Sequence, residues 1–133
     1  MIEKKHRVED ALEAVRSAQE EGIVPGGGTT LLKCGDFALQ CDDEDQQIGV
    51  EIVRKSLQAP IRQMAINAGE SPDLIVDKVL NSENLGWDFK KGQLTTMLEA
   101  GIIDPTKVTR VALQNSVSAA STLVTTSNAI IEE

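Results

Sequence analysis

Aromatic side chains are scarce in this sequence: of 133 residues one is Trp, two are Phe and none is Tyr. With only Phe37, Trp87 and Phe89 to contribute large rings, any core must rest on Ile, Leu, Val and Ala, which favours helices packed closely on small side chains. Basic residues are also few, 13 Lys and Arg against 21 Asp and Glu, for a formal net charge of -8. That balance gives no attractive field for a phosphate backbone, and no Lys/Arg stripe with interleaved aromatics is present, so a nucleic-acid role is excluded. His6 is the only histidine, and Cys34 and Cys41 stand seven apart, which matches no Cys-x-x-Cys pattern. Reduced thiols are expected rather than a metal or redox site. No apolar run reaches the roughly 18 to 20 residues of a membrane span, and Met1-Ile2-Glu3-Lys4-Lys5-His6-Arg7 is not a secretory signal. The expectation is a soluble, intracellular chain with no membrane partner. What is present is a 41% apolar content, enough at this length for one domain with a single core.

The pattern along the chain is mainly helical. Val8, Ala11, Leu12, Val15 and Ala18 recur at helical spacing from Arg7 to Glu21, and Gly22 supplies a stop. After Gly26-Gly27-Gly28 a second helix is expected through Thr30, Leu31, Leu32, Phe37, Ala38 and Leu39. The acidic group Asp42-Asp43-Glu44-Asp45 lacks the alternating ligands and glycine of a calcium loop, and suits a helix N-terminus, where carboxylates cap amides and oppose the dipole. Ile48, Ile52, Val53 and Leu57 carry that helix to Pro60, which must break it or begin the next one, the stripe Ile61, Met64, Ala65 and Ala68 closed by Gly69. Ser71-Pro72-Asp73 pairs an N-cap with a proline and starts a helix through Leu80. Leu85 to Gly92, around Trp87-Asp88-Phe89, alternates apolar and polar and reads as a small hairpin. Asp104 is placed to cap a last helix, with Pro105 at its first position and Val108, Val111, Ala112, Val117, Ala120 and Val124 along it. Asn128-Ala129-Ile130-Ile131 follows as a β-prone tail.

Two features bear on chemistry. Three consecutive glycines before a helix allow either a tight turn or close approach of an anion or nucleotide to backbone amides. The loop is neither a Walker loop nor a dinucleotide loop, since it lacks Gly-Lys-Ser/Thr and a preceding strand pattern. Asp10, beside the apolar stripe of the first helix, is either a solvated helix acid or a carboxylate able to orient a water toward a phosphoryl group.

Four stretches carry a family resemblance: Arg7-Val8-Glu9-Asp10-Ala11-Leu12, Glu20-Glu21-Gly22-Ile23-Val24-Pro25-Gly26-Gly27-Gly28, Asn67-Ala68-Gly69, and Ala100-Gly101-Ile102-Ile103-Asp104-Pro105-Thr106-Lys107-Val108. In order and spacing they resemble the C-terminal part of a GroEL-type (group I, chaperonin-60) ring chaperonin, in one register over essentially all 133 residues. The resemblance implies a helical bundle of the equatorial-domain type, with residues 1–21 as the intermediate-domain helix and 22–133 as the C-terminal half of the equatorial domain. It implies an ATP-dependent machine, an isomerase-class ATPase, that encloses and refolds non-native polypeptides in the cytoplasm or an organelle matrix. By the same resemblance Asp10 matches the catalytic aspartate, Gly26, Gly27 and Gly28 the glycine loop against the nucleotide, and Asp104 the aspartate at the ribose. Asp88, Phe89 and Lys90 stand where the family commonly has Asn-Ala-Ala lining the adenine pocket, a departure in both charge and bulk. The implied cofactor is ATP with Mg2+. The implied partners are identical subunits in a ring, which the tail joins by adding a strand to a neighbour's sheet, and, through domains beyond these residues, co-chaperonin and unfolded polypeptides. The family's Gly-Pro-Lys loop, Asp-Gly-Thr-Thr-Thr run and Gly-Gly-Met tail do not occur in these 133 residues, so a partial subunit, inactive alone, is expected. A reading of another class is a non-enzymatic helical module that docks on chaperonin subunits.

Overall fold

The computed structural model describes residues 2–35 and 41–131, with side chains as far as residue 126. Its elements run in the order α1 (Ile2–Glu21), β1 (Ile23–Pro25), α2 (Thr29–Cys34), α3 (Glu44–Ser56), α4 (Ala59–Asn67), α5 (Pro72–Leu80), β2 (Gly86–Asp88), β3 (Gln93–Thr95), α6 (Met97–Ala100), β4 (Ile103–Pro105) and α7 (Thr106–Ile131). The fold is mainly α, as composition and periodicity predict. Instead of one domain, however, the chain forms two compact units, Val24–Ile103 and Met1–Ile23 with Asp104–Glu133. The expected single core is present among the described residues, since every buried apolar side chain described belongs to the first of these units.

The unit Val24–Ile103 is organised by α4 and α5. Leu32, Ile61, Ala65, Ile75, Val76, Val79 and Trp87 form its core, with Phe89 and Leu94 packed against it. Burial of each Ile or Val contributes about 1.5 to 3 kcal/mol relative to exposure, so this cluster is the main source of the unit's stability. Local signals set the helix boundaries. The Asp43 carboxylate accepts from the Asp45 amide at 2.8 Å and caps α3. Pro60 lies in the first turn of α4, where no amide hydrogen is needed, and Gly69, at φ 73, turns the chain out after that helix. Ser71 is extended at the start of α5, but its side chain makes no cap bond. The expected second helix is shorter than its apolar run: α2 stops at Cys34, and Phe37, Ala38 and Leu39 lie outside the described residues.

The hairpin is present with a later second arm than the sequence suggests. β2 pairs antiparallel with β3, with Trp87 opposite Leu94 and Asp88 opposite Gln93. Gly92, at φ 67, belongs to the turn and not to the end of the second strand. A further two-stranded sheet, β1 with β4, was not expected. At one end of it the Gly26 amide donates to Ile102 O at 2.8 Å, and at the other the Thr106 amide donates to Gly22 O at 3.0 Å. This pairing overrides helix capping at Asp104. The residue sits in β4, two positions before α7, because residues 103–105 are held extended by the ladder and the helix starts only at Thr106.

The other unit is a pair of long helices. α1 packs along α7, and Ala14, Ser17 and Ala18 are its half-buried positions. Glu20 forms an ion pair with Lys107, and Arg110 Nη2 and Nε donate to the two carboxylate oxygens of Glu21 at 2.9 and 3.3 Å. The apolar stripe of α1 stays outward, with Val8, Leu12 and Val15 all more than half exposed. The tail expected to be a strand is helical through Ile131. No Gly or Pro interrupts residues 106–131, so each added residue gains a helical bond, whereas an isolated strand gains none.

Candidate functional site

Within Val24–Ile103, the glycine loop between β1 and α2 comes to lie on the hairpin. The loop closes through Thr29 N to Gly26 O at 3.2 Å and Leu32 N to Gly28 O at 3.2 Å, while the Gly26 amide is committed to Ile102. Gly27 and Gly28 have φ of 64° and 77°, a region closed to most L side chains. A Cβ on Gly27 would meet Met97 Cε at 2.9 Å and lie 3.7 Å from Trp87 O, and one on Gly28 would meet the Ile61 backbone at 2.8 Å. The loop is therefore glycine because α4, α6 and β2 press on it from inside. Gly86 answers from the hairpin side: its Cβ would fall 2.5 Å from both Met97 Cγ and Thr29 Oγ1. The Thr29 hydroxyl, in this packed contact, is buried without a hydrogen-bond partner among the described residues. Burial also lowers the pKa of Lys33, one turn further along α2.

Asp88, Phe89 and Lys90 have separate roles here. The Asp88 carboxylate is 6% exposed and accepts from the Lys90 amide at 2.9 Å and the Lys91 amide at 3.1 Å, while its carbonyl accepts from Gly92 at 2.7 Å. It is the internal cap of the hairpin turn, an Asx-type arrangement that an aspartate or asparagine supplies equally well. Phe89 turns inward against the core, and Lys90 is exposed. The bulk that Phe89 adds where the resembling family has alanine is thus accommodated against the core. Trp87, 7% exposed, carries Lys78 Nζ 5.0 Å from its ring centroid, a cation–π contact.

Structure thus brings Gly27, Trp87 and Ile102 together, with Asp88 next to Trp87 and Asp104 two residues beyond Ile102. Asp104 is exposed in β4. Asp10 is exposed on α1, in the other unit. Sequence reasoning missed Met97 and Gly86. Met97 is 1% exposed and touches the positions of both Gly27 and Gly86, but a four-residue helix such as α6 has no periodicity to reveal it.

The sequence matches the TCP-1/cpn60 chaperonin family over residues 1–133. A solved structure, described as a group III chaperonin in the open state, superposes with a TM-score of 0.72 at 27% identity, over 82% of this chain and 24% of that one. The chain belongs to the TCP-1/cpn60 chaperonin family, and its helical fold is that of part of a chaperonin subunit. It spans about a quarter of the length of the chaperonin subunit it matches, 24%.

Proposed function

We propose that this chain is the part of an ATP-driven, protein-folding chaperonin subunit that contributes the sugar and base side of the nucleotide pocket together with the helix carrying the catalytic carboxylate. In this reading residues 1–21 are the intermediate-domain helix and 22–133 the C-terminal half of the equatorial domain, in a ring of identical subunits. The family match over the whole of residues 1–133 carries it, and it disfavours a separate module that merely docks on chaperonins. The GroEL-type assignment, and with it a cytoplasmic or organelle-matrix site, rests on the four motif stretches. The matched solved structure is of group III, so that assignment is finer than the family.

The fit to a nucleotide is uneven. Within Val24–Ile103 the glycine loop and the adjoining hairpin offer backbone without intervening side chains to a base, and Asp104, exposed in β4, is by itself an acceptor for hydroxyl groups. Glycine in the loop is already required by internal packing, so the run of three is not in itself a sign of a ligand. Among the described residues no group of three or more His, Cys, Asp or Glu side chains could hold a metal ion. In this reading the triphosphate and its cation are held by the family's Gly-Pro-Lys and Asp-Gly-Thr-Thr-Thr segments, which do not occur in these 133 residues, and the isolated chain is expected to release no phosphate from ATP above a protein-free control. In a complete subunit carrying this segment, Asp10 orients the attacking water. Asp10→Ala should slow turnover by about 100-fold while ATP still binds, the scale of losing an orienting or general-base group. An unchanged rate removes Asp10 from the mechanism.

A further inference from the structure

The side chain of Met97 is closed to any ligand, yet both the glycine loop and the β2–β3 hairpin rest on it. A Cβ on Gly27 would meet Met97 Cε at 2.9 Å, and one on Gly86 would meet its Cγ at 2.5 Å and its Sδ at 2.8 Å. The side chain thus lies against two backbones at once, its outer end on the loop and its middle on the hairpin. Methionine suits that place, because it is unbranched and can pass between close main chains. Its carbonyl accepts from the Ile102 amide at 3.0 Å, and the Ile102 carbonyl accepts in turn from the Gly26 amide at 2.8 Å. One residue therefore fixes the loop twice, through its side chain at Gly27 and through its main chain at Gly26.

Stability alone does not account for this seat. The Thr29 hydroxyl is buried in it without a partner among the described residues, and a buried polar group left unpaired is destabilising. The same contact demands glycine at 27 and at 86, where larger side chains would otherwise add to the core, and it holds Gly27 at φ 64°. Local rules broken together in this way mark a place where the geometry serves something other than folding.

We propose that Met97 is a positioning residue for the nucleobase: it sets the gap between the glycine loop and the hairpin, and with it how tightly a base is held, without touching the nucleotide. The proposal rests on the reading of this segment as the sugar and base side of a nucleotide pocket. It adds the residue that sets the width of that pocket.

Two ligands that differ only in the base, ATP and ribose 5-triphosphate, test it in a complete chaperonin subunit carrying this segment. The readout is the ratio of their affinities, because a loss of folded protein weakens both alike and cancels from the ratio. The unmodified subunit should prefer ATP. Met97→Ala should lower that preference at least about tenfold, the scale of a small misplacement of a binding group, while ribose 5-triphosphate binds within about twofold of its original affinity. Met97→Leu, similar in volume, should restore most of the preference. An unchanged preference in Met97→Ala overturns the proposal, as does an equal loss of both ligands, which would make the residue structural only. A leucine variant as poor as the alanine one overturns it too, since a spacer of similar volume would then have failed. If the unmodified subunit bound the two ligands equally, the base would not be read here, and the pocket reading would fall together with the proposal. A preference that survives Met97→Ala removes the proposal alone and leaves the pocket reading standing.

Discussion

Between Val24 and Ile103, seven buried apolar side chains form one cluster, whereas the unit made of Met1–Ile23 and Asp104–Glu133 has no buried side chain among its described residues. Both are helical. The first is held by burial, which ions do not screen and which does not titrate. The second is held by backbone hydrogen bonds and by ion pairs at exposed positions, which typically contribute little because solvent screens them. Helix content is therefore a poor guide to where this chain is stable. Because the only tryptophan, Trp87, lies in the first unit, its fluorescence reports on the core, while the 20-residue α1 and the 26-residue α7 supply about half of the helical residues behind the far-ultraviolet signal. In urea the two signals should not coincide: helicity should fall first and Trp87 later. Coincident transitions would show that the two units unfold as one and break the contrast.

The largest single effect should come from the core. Ile61 is fully buried, and Ile61→Ala removes methyl groups that α2, α4 and α5 cannot collapse to replace, at a cost of about 4 kcal/mol. The Trp87 transition should move to much lower urea. A shift of less than about 1 kcal/mol would mean that the cluster is loosely packed. Gly28→Ala should follow at about 3 kcal/mol, combining a positive φ with a Cβ 2.8 Å from the Ile61 backbone, an atom that cannot swing aside. If this variant proved neutral, the glycine loop would have to be more open than the structure shows, and a ligand would regain its place as the reason for glycine there.

Smaller still is the hairpin cap. Asp88→Ala leaves the Lys90 and Lys91 amides without their acceptor, and a loss of about 1 to 2 kcal/mol is expected from unfolding curves followed at Trp87. Asp88→Asn retains an acceptor oxygen and should recover most of it. Equal losses for the two variants would argue that the charge, rather than the turn geometry, is what the site uses.

These contrasts explain which parts of the fold were legible in the sequence. Signals that act within one turn of helix were: Asp43 before α3, Pro60 at the start of α4, and Gly69 after it. Pairings between distant residues were not. β1 and β4 are three residues each and lie about 80 positions apart, 23–25 against 103–105, so no local pattern announces them, and Asp104 accordingly looked like a helix cap. The tail residues Ile130 and Ile131 favour strands taken singly, but they follow an unbroken helix with no neighbouring strand to recruit them. Gly26, Gly27, Gly28 and Asp88 stand out in the sequence as motif residues. What motif could not convey was the internal packing that accounts for these residues, because Met97 and Gly86 carry no periodic signal.

The smallest expected effect sharpens the contrast from the other side. The lysine ammonium at Lys107 holds the Glu20 carboxyl below the usual carboxylate range, mainly through their hydrogen bond, and Glu20 in turn raises Lys107. A carboxyl whose folded pKa is lowered contributes stability that is present above its unfolded pKa and is lost as pH falls through the lower folded value. An amine whose folded pKa is raised contributes below its unfolded pKa, and that contribution is lost as pH rises through the higher folded value. The Glu20–Lys107 pair should therefore hold α1 on α7 across the whole neutral range and release it only in acid below ordinary carboxylate titration, or in strong alkali. Both side chains are exposed, so the effect is small and screened. It should appear in the helicity signal, diminish with added salt, and vanish in Glu20→Gln. The Trp87 transition, which answers to buried apolar contacts, should not register that substitution. If Glu20→Gln moved Trp87 as much as it moved helicity, the ion pair would be supporting the core, and the division of this chain into a buried and a solvated half would have to be redrawn.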